Sequence, residues 1–167
     1  MTIRNLIYIK KCLGQEGKPI DIYKIRTMCV GAEGQLDEIV DNDIDSFGKI
    51  MQDSRITPFG RFLRKYWIDE LPQLYNLGKG DIKLVGVRPI TENAWQRYPP
   101  EIMEKTLRQK HGLMGIDYAF SHSDSFNDKL EHMDKYLNQW ERNSSKTDRE
   151  YFSRIFSNIV FGGIRSS

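Results

Sequence analysis

The residues best suited to catalysis in this sequence are two adjacent carboxylates, Asp69 and Glu70. Pro72 follows them closely, and because proline cannot donate a hydrogen bond inside a helix, it belongs in a first turn. This spacing places Asp69 at or near the N-cap of a helix that we expect to end at Gly78. Such an Asp commonly does no more than cap its helix. The unpaired amide groups there would also keep the carboxylate ionised and attract a phosphate.

The functional interpretation of the pair goes further. An ionised Asp69 can attack phosphorus and form an acyl phosphate. Glu70 could hold Mg²⁺, which prefers oxygen ligands and often bridges to substrate phosphates. The spacing by itself leaves both the capping role and the catalytic role open.

Basic side chains surround the acidic pair along the chain. Arginine binds phosphate oxygens through two hydrogen bonds, so several converging arginines suit a diphosphate. The candidates are Arg26, Arg64, Lys65, Lys79 and Arg88. Each alone could be a solvated surface charge, but together they favour a phosphate site. No Walker-type or GxGxxG pattern accompanies them.

Hydrophobic periodicity and turn residues predict the elements that must position these side chains. The predicted elements are strands over Leu6–Lys11 and Ile20–Ile25, a helix over Pro58–Tyr66 capped by Thr57, a strand over Ile82–Val87, and helices over 99–109, Ser125–Arg142 and Asp148–Phe161. We expect 111–120 to be irregular and 31–47 to be an acidic mobile loop. The predicted fold is therefore α+β, a mainly helical single domain over residues 1–167 with a small antiparallel β-hairpin and a short additional strand.

Two of the predicted helices carry aromatic stripes. Phe59, Phe62 and Tyr66 lie on the first, bordered by arginine and lysine, which fits a membrane interface. The last helix has a broader stripe, for which we favour core packing over membrane contact. Its members are Tyr151, Phe152, Ile155, Phe156, Ile159 and Val160.

Composition excludes several classes of protein. The 167 residues are 39% hydrophobic and 29% charged, typical of a folded domain and unlike a disordered chain. No apolar run approaches the roughly 18 residues of a membrane-spanning helix, and the N-terminal residues do not resemble a signal peptide. Two cysteines make no disulfide framework, so a reducing cytosol is the default.

The charge of the chain is unevenly distributed. Six acidic residues and no basic ones lie between Glu33 and Asp45, which leaves 25 basic residues against 17 acidic ones elsewhere. Such a basic body suits phosphates, an anionic membrane surface or nucleic acid. Without a helix-turn-helix, zinc or RNA-binding motif, we expect no nucleic-acid partner.

The blocks YKIRTM, DSRITPFGRFLRKYWIDELPQLYNLGKGDIKLVGVRP, YLNQW and YFSRIF resemble the bacterial sugar transferases, also called monotopic phosphoglycosyl transferases. The resemblance covers nearly the whole chain, and the joined DELPQL and LVGxRP blocks are highly specific. It implies an enzyme that transfers a sugar phosphate from a UDP-sugar to polyprenyl phosphate, such as undecaprenyl phosphate. Such a reaction releases UMP and starts the assembly of an exopolysaccharide, O-antigen or glycoprotein glycan.

The resemblance also implies roles for individual residues. Asp69 matches the catalytic nucleophile, and Glu70 matches the residue that supports Mg²⁺. The nucleotide-binding Pro-Arg-Pro motif falls on Val87, Arg88 and Pro89. Arg26, with Lys24 beside it, matches a conserved basic block of the family. Together with Arg64, we expect Lys24, Arg26, Arg88 and Pro89 to bind substrate.

Three departures from the family pattern bear on these roles. Val87 replaces the first proline of Pro-Arg-Pro, and residues 111–115, His-Gly-Leu-Met-Gly, replace Pro-Gly-Ile-Thr-Gly. The family's N-terminal membrane helix would precede the hairpin, and this sequence begins almost at the hairpin. Either this helix has been trimmed away or the protein naturally lacks it. For the sequence in this form we expect peripheral association with the cytoplasmic face of the inner membrane. The alternative function is a non-catalytic relative that binds nucleotide-sugar or glycan-assembly partners. The sequence indicates neither the sugar nor the oligomeric state.

Overall fold

The computed structural model describes residues 6–29, 31–32, 53–120 and 125–161. Apart from Gly31 and Ala32, the predicted acidic loop lies outside these ranges. The fold class is α+β, as predicted: a mainly helical domain with one antiparallel hairpin and one short parallel strand pair. Within the described ranges, no helix has the length and apolar character needed to cross a bilayer.

The predicted hairpin is confirmed. Strands β1 (Ile7–Leu13) and β2 (Pro19–Ile25) pair antiparallel, and Gln15–Gly17 forms a short 3₁₀ turn between them. Residues directly opposite each other share a face of such a pair. Lys10 lies opposite Ile22 and Tyr8 lies opposite Lys24. The hairpin therefore presents two lysines on the same face.

Two short helices follow the hairpin. Helix α1 (Pro58–Lys65) begins as predicted, because the Thr57 hydroxyl accepts a hydrogen bond of 2.9 Å from the amide of Gly60. Helix α2 (Gln73–Lys79) packs against β2 through Asn76, which is fully buried. The Asn76 side chain accepts from the Tyr23 amide at 3.1 Å and donates to the Asp21 carbonyl at 2.7 Å.

The second sheet corrects one prediction. Strand β3 (Lys83–Gly86) lies within the predicted strand, but residues 112–115, expected to be irregular, form strand β4 (Gly112–Gly115) parallel to it. The pairing depends on glycine, because a Cβ on Gly112 would lie 2.1 Å from the amide nitrogen of Gly86. A 3₁₀ turn, Ile116–Ala119, follows β4.

The remaining helices enclose the main core. They are α3 (Glu92–Trp95), which the sequence did not indicate, α4 (Pro100–Leu107), α5 (Phe126–Arg142) and α6 (Ser144–Val160). The core combines Val85 of β3 and Val87 just after it with side chains of the helices, among them Trp95, Tyr136 and Ile155. Helix α6 begins earlier than predicted, since the Asn143 side chain caps it by accepting from the Lys146 amide at 3.1 Å.

The aromatic stripes divide between core and surface. On α6, Tyr151 and Ile155 are buried, as expected for core packing. Phe152 and Phe156 are exposed, so the prediction of core packing is wrong for these two residues. On α1, Phe59 is 67% exposed and Phe62 is 52% exposed. Exposed apolar residues also lie around α2 and at the end of α6; they are Leu71, Leu74, Tyr75, Val160 and Phe161.

Candidate active site

The prediction that Asp69 lies at the N-cap of the following helix is wrong. Asp69 and Glu70 lie in a separate 3₁₀ turn, Ile68–Glu70, which ends before α2 begins at Gln73. No side chain caps α2, and its C-terminal glycine is Gly80, with φ of 82°, rather than Gly78. The physical reason is Pro72, which occupies the N-cap position itself and leaves the acidic residues in a turn of their own.

Trp67 turns both carboxyl groups inward. Its φ of 56° lies in the left-handed region, which is uncommon for a large residue. Such a conformation costs about 1–3 kcal/mol and persists where the surrounding structure fixes it. Here the indole Nε1 donates to the Tyr118 hydroxyl at 3.1 Å. Asp69 and Glu70, immediately after this kink, are both only 6% exposed.

Asp69 has an unusual environment for a carboxylate. Its Oδ1 atom is buried and has no hydrogen-bond partner among the described residues. Burial raises the pKa of Asp69, and Glu70 adds to this effect, while Lys24 and Arg64 oppose it. The ionised form therefore depends on nearby cations, whereas the sequence had suggested a helix terminus as its support.

Glu70 is the opposite case. The Lys24 ammonium donates to its Oε1 at 3.0 Å, and Arg88 donates to its Oε2. Burial alone would raise the pKa of Glu70, but Arg88 and Lys24 together lower it below its usual value. The dyad thus contains one carboxylate bound by two cations and one whose Oδ1 atom has no hydrogen-bond partner in the described structure.

Both carboxyl groups line a cavity of about 330 Å³, called here the dyad cavity. Five cationic side chains also line it: Lys10, Lys24, Arg26, Arg64 and Arg88. Arg26 Nε is buried without a hydrogen-bond partner in the described residues. Arg64 is oriented by a 2.9 Å bond from its Nε to the Thr27 hydroxyl. With an excess of cations over carboxylates, the dyad cavity is suited to a polyanion.

The structure separates the other predicted basic residues from this cavity. Lys65 is exposed and lies over the Tyr66 ring, and Lys79 pairs with Asp81 at 3.2 Å. Pro89 does not line the dyad cavity. It is buried beside a neighbouring cavity of about 230 Å³, called here the Pro89 cavity, and its carbonyl accepts from Lys10 Nζ at 2.9 Å.

Two functional candidates were missed by the sequence analysis. Lys10 could have been found from the alternation of β1, which points it to the same side as Tyr8. Tyr118 gave no signal, because its segment was expected to be irregular. Its hydroxyl accepts from both Trp67 and Arg88, the latter at 3.2 Å, and its ring lies beneath the Arg88 guanidinium.

The altered segment at 111–115 positions Arg88. A Cβ on Gly115 would lie 2.5 Å from Arg88 Cγ, so only glycine leaves room for this side chain. His111 lies between two carbonyl groups, with Nε2 2.6 Å from the Leu13 oxygen and Nδ1 3.2 Å from the Val87 oxygen. Val87 and His111, which both depart from the family pattern, therefore contact each other through the Val87 carbonyl group, next to Arg88 in the chain.

An apolar groove of about 260 Å³ lies on the other side of the Glu70–Arg88 ion pair. Leu71, Leu74, Leu113, Met114 and Ile159 line it. Glu70 and Arg88 border both this apolar groove and the dyad cavity. Leu71 and Leu74 are each more than half exposed, so the groove opens onto apolar surface.

The dyad fits Mg²⁺ only together with a phosphate. In phosphate-transfer sites this ion is commonly held by one or two carboxylates plus substrate phosphates and water. Asp69 and Glu70 supply the carboxylates, and the unpartnered Asp69 Oδ1 is a free oxygen donor. No cluster of three or more His, Cys, Asp or Glu side chains suited to a metal occurs in the described ranges. An ion at Glu70 would replace Lys24 or Arg88 as its partner.

The cationic dyad cavity and the apolar groove meet at Glu70 and Arg88, an arrangement suited to a polyanion beside an apolar chain. The profile of the family described as "Bacterial sugar transferase" matches residues 2–160. The chain belongs to the bacterial sugar transferase family.

Individual relatives agree with this assignment. The chain is 36% identical to the undecaprenyl-phosphate galactose phosphotransferase of Salmonella typhimurium, over 80% of this chain and 29% of the relative. It is also 36% identical to the galactosyl transferase CpsE of Streptococcus agalactiae serotype III, over 80% of this chain and 30% of the relative. A putative undecaprenyl-phosphate N-acetylgalactosaminyl 1-phosphate transferase of Bacillus subtilis is 35% identical, over 67% of this chain and 58% of the relative. The chain thus spans less than a third of the first two relatives.

Proposed function

We propose that the protein transfers a sugar phosphate from a UDP-sugar to polyprenyl phosphate, through a covalent intermediate on Asp69, and releases UMP. The main support for this proposal is the environment of Asp69. Its buried Oδ1 atom has no hydrogen-bond partner among the described residues, and the residue lines a cavity with five cationic side chains. The names of the relatives support the lipid acceptor, since two of them contain undecaprenyl phosphate.

In the first step, a carboxylate oxygen of Asp69 attacks the β-phosphorus of the UDP-sugar. A bond from Asp69 to phosphorus forms, and the bond from phosphorus to the bridging oxygen breaks. UMP leaves with that electron pair, and an aspartyl-phosphosugar remains. Arg26 and Arg64 bind the diphosphate oxygens and stabilise the charge that develops on them.

In the second step, a phosphate oxygen of polyprenyl phosphate attacks the same phosphorus. The bond to Asp69 breaks, the carboxylate is restored, and the product is a polyprenyl diphosphate sugar. Arg88 borders both the dyad cavity and the apolar groove, so it can bind the acceptor phosphate while the groove takes the first part of the prenyl chain. Splitting the transfer into two displacements lets one site serve both substrates.

Glu70 has two roles in this proposal. It orients Lys24 and Arg88 through its ion pairs, and with Asp69 it supplies the oxygen donors for Mg²⁺. Mg²⁺ bound there would supply positive charge that offsets the repulsion between the Asp69 carboxylate and the diphosphate.

The exposed apolar side chains support a location at the membrane surface, on the cytoplasmic side, where UDP-sugars occur. Phe59 and Phe62 project from α1 next to the exposed Arg61 and Lys65. An apolar surface bordered by basic residues is typical of proteins that lie in the interface of an anionic membrane.

The test is an incubation of the protein with Mg²⁺ and a panel of UDP-sugars, followed by intact-mass measurement. We expect a mass increase of one sugar phosphate for the accepted donor, UMP in equal amount, and loss of the adduct when polyprenyl phosphate is added in detergent. UMP release on addition of both substrates without any adduct would contradict the covalent route. No UMP with any donor would favour a non-catalytic relative.

A further inference from the structure

Lys10 lies between two cavities and belongs to no motif that the sequence analysis identified. It lines the dyad cavity and also the Pro89 cavity. Besides Lys10, only Arg88 lines both of them among the described residues. A group bound at the Lys10 ammonium would therefore lie where the two cavities meet.

The Lys10 ammonium lacks a negative partner. Its hydrogen bond goes to the neutral carbonyl of Pro89, and no carboxylate pairs with it in the described part of the chain. Burial lowers the pKa of Lys10; Cys12 opposes this effect, and the nearby cations Lys24, Arg88 and Lys129 lower the pKa further. A buried ammonium is costly unless it is paired. An anion bound between Lys10 and Arg88 would supply the missing charge.

The residues that line the Pro89 cavity suit the rest of a nucleotide. Its volume is about 230 Å³, and polar groups of Thr91, Asp117 and Lys129 line it together with the aromatic ring of Tyr98. Lys129 lies over the Tyr98 ring, 5.9 Å from its centre. Hydrogen-bonding groups beside an aromatic ring are suited to a ribose and a base.

We propose that Lys10 binds the α-phosphate of the nucleotide-sugar, the phosphate that leaves with UMP. A nucleoside in the Pro89 cavity agrees with the nucleotide-binding role that the family resemblance implies for residues 87–89. This inference rests on the proposed function and assigns the orientation of the donor. The β-phosphate then lies in the dyad cavity beside Asp69, and the bond that breaks lies between Lys10 and Asp69. The positive charge of Lys10 then lies next to the leaving group and stabilises the negative charge that develops there.

UMP tests this orientation, because it carries the α-phosphate and the nucleoside but no β-phosphate. Calorimetric titration with UMP and with uridine is carried out on the wild type, Lys10→Met, Lys10→Arg and Lys11→Met. Lys11 is the matched control, since it is the adjacent lysine on the exposed face of β1. A hydrogen bond to a charged group corresponds to a change of about 10- to 100-fold in affinity.

We expect Lys10→Met to weaken UMP binding by about 10- to 100-fold and to leave uridine binding within about twofold. Lys10→Arg keeps the charge and should retain most of the UMP affinity, and Lys11→Met should match the wild type. Equal losses in Lys10→Met and Lys11→Met would show a general charge effect and overturn the proposal. So would UMP affinity in Lys10→Met equal to that of the wild type.

A second measurement does not depend on the folding of Lys10→Met. Lysine labelled with ¹³C at Cε gives one NMR signal per residue, and the spectrum of Lys10→Arg assigns Lys10. Saturating UMP should shift the Lys10 signal of the wild type, whereas uridine should not. An unmoved signal would overturn the role of Lys10. An absent covalent adduct on Asp69, with the UMP-induced shift intact, would instead contradict the proposed function alone.

Discussion

Asp69 and Glu70 are neighbours in the chain, yet only Glu70 forms ion pairs in the described structure. Lys24 and Arg88 bind the two oxygens of Glu70, while Oδ1 of Asp69 has no bonded partner there. A nucleophilic oxygen that already accepts strong hydrogen bonds would lose reactivity. The arrangement therefore leaves Oδ1 of the proposed nucleophile without a hydrogen-bond partner, while the adjacent carboxylate binds two cations.

Replacing Asp69 with Asn should abolish turnover and the mass adduct, a loss of about 10⁴-fold or more, because the amide cannot attack phosphorus. The variant should remain folded. Since burial raises the pKa of Asp69, folding disfavours its ionised form, and the neutral amide should give an unchanged or higher melting temperature at pH 7. UMP release and thermal unfolding check the two statements. Asp21→Asn, at an exposed position, serves as the control, and turnover by Asp69→Asn would exclude Asp69 as the nucleophile.

Glu70→Gln should lower kcat by about 10²-fold or more and weaken the dependence on Mg²⁺, because the variant keeps the shape of the side chain but loses the charge. Lys24 and Arg88 would also lose their shared partner. The measurement is UMP release as a function of Mg²⁺ concentration. The exposed Glu101 offers a control in Glu101→Gln. If Glu70→Gln showed the same Mg²⁺ dependence as the wild type, Glu70 would not be a ligand of the metal.

The stability of the protein should fall as the pH drops below about 6.5, in part through His111. Burial lowers the pKa of His111, although the carbonyl groups of Leu13 and Val87 favour the protonated ring. The unfolded chain, with a pKa near 6.5, then binds the proton more readily than the folded protein. The stabilisation that comes from neutral His111 is fully present above a pH of about 6.5. It is lost as the pH falls toward the lower pKa of His111 in the folded protein, by at most about 1.4 kcal/mol per pH unit for one proton. Chemical denaturation between pH 7.5 and 5 should show this slope, and His111→Gln should reduce it. Equal slopes in the two proteins would contradict the assignment.

Replacing both Phe59 and Phe62 with Ser should weaken binding to vesicles that contain anionic lipid by about tenfold or more, since burying one such side chain contributes about 1.5–3 kcal/mol. Both side chains are more than half exposed, so the free energy of unfolding should change little. Vesicle co-sedimentation and denaturant unfolding are the two measurements. Replacing Leu63 on the same helix, which is buried, should instead lower stability. Unchanged vesicle binding in the double variant would mean that α1 does not contact the membrane.

Local patterns predicted the elements whose causes are local. Two β-prone runs on either side of a turn rich in glycine and proline predicted the hairpin, and Thr57 with Pro58 predicted the start of α1. The Asp69–Glu70 pair was found from its sequence context, and the structure places it in a cationic cavity. The catalytic roles of these residues remain predictions. Strand β4 was missed because its pairing depends on the absence of a side chain at Gly112 beside Gly86, a contact across the fold.

The sequence by itself determined the family, the hairpin, most of the helices and the identity of the acidic pair, because these follow from residue types and short-range spacing. Only the tertiary structure decided which carboxylate is paired, that Lys10 and Tyr118 belong to the site, and that Pro89 lies outside the dyad cavity. The physical reason is distance along the chain. Lys24 reaches Glu70 across 46 positions, and Trp67 reaches Tyr118 across 51. Contacts of this kind are set by how the helices and strands pack, which residue spacing does not specify.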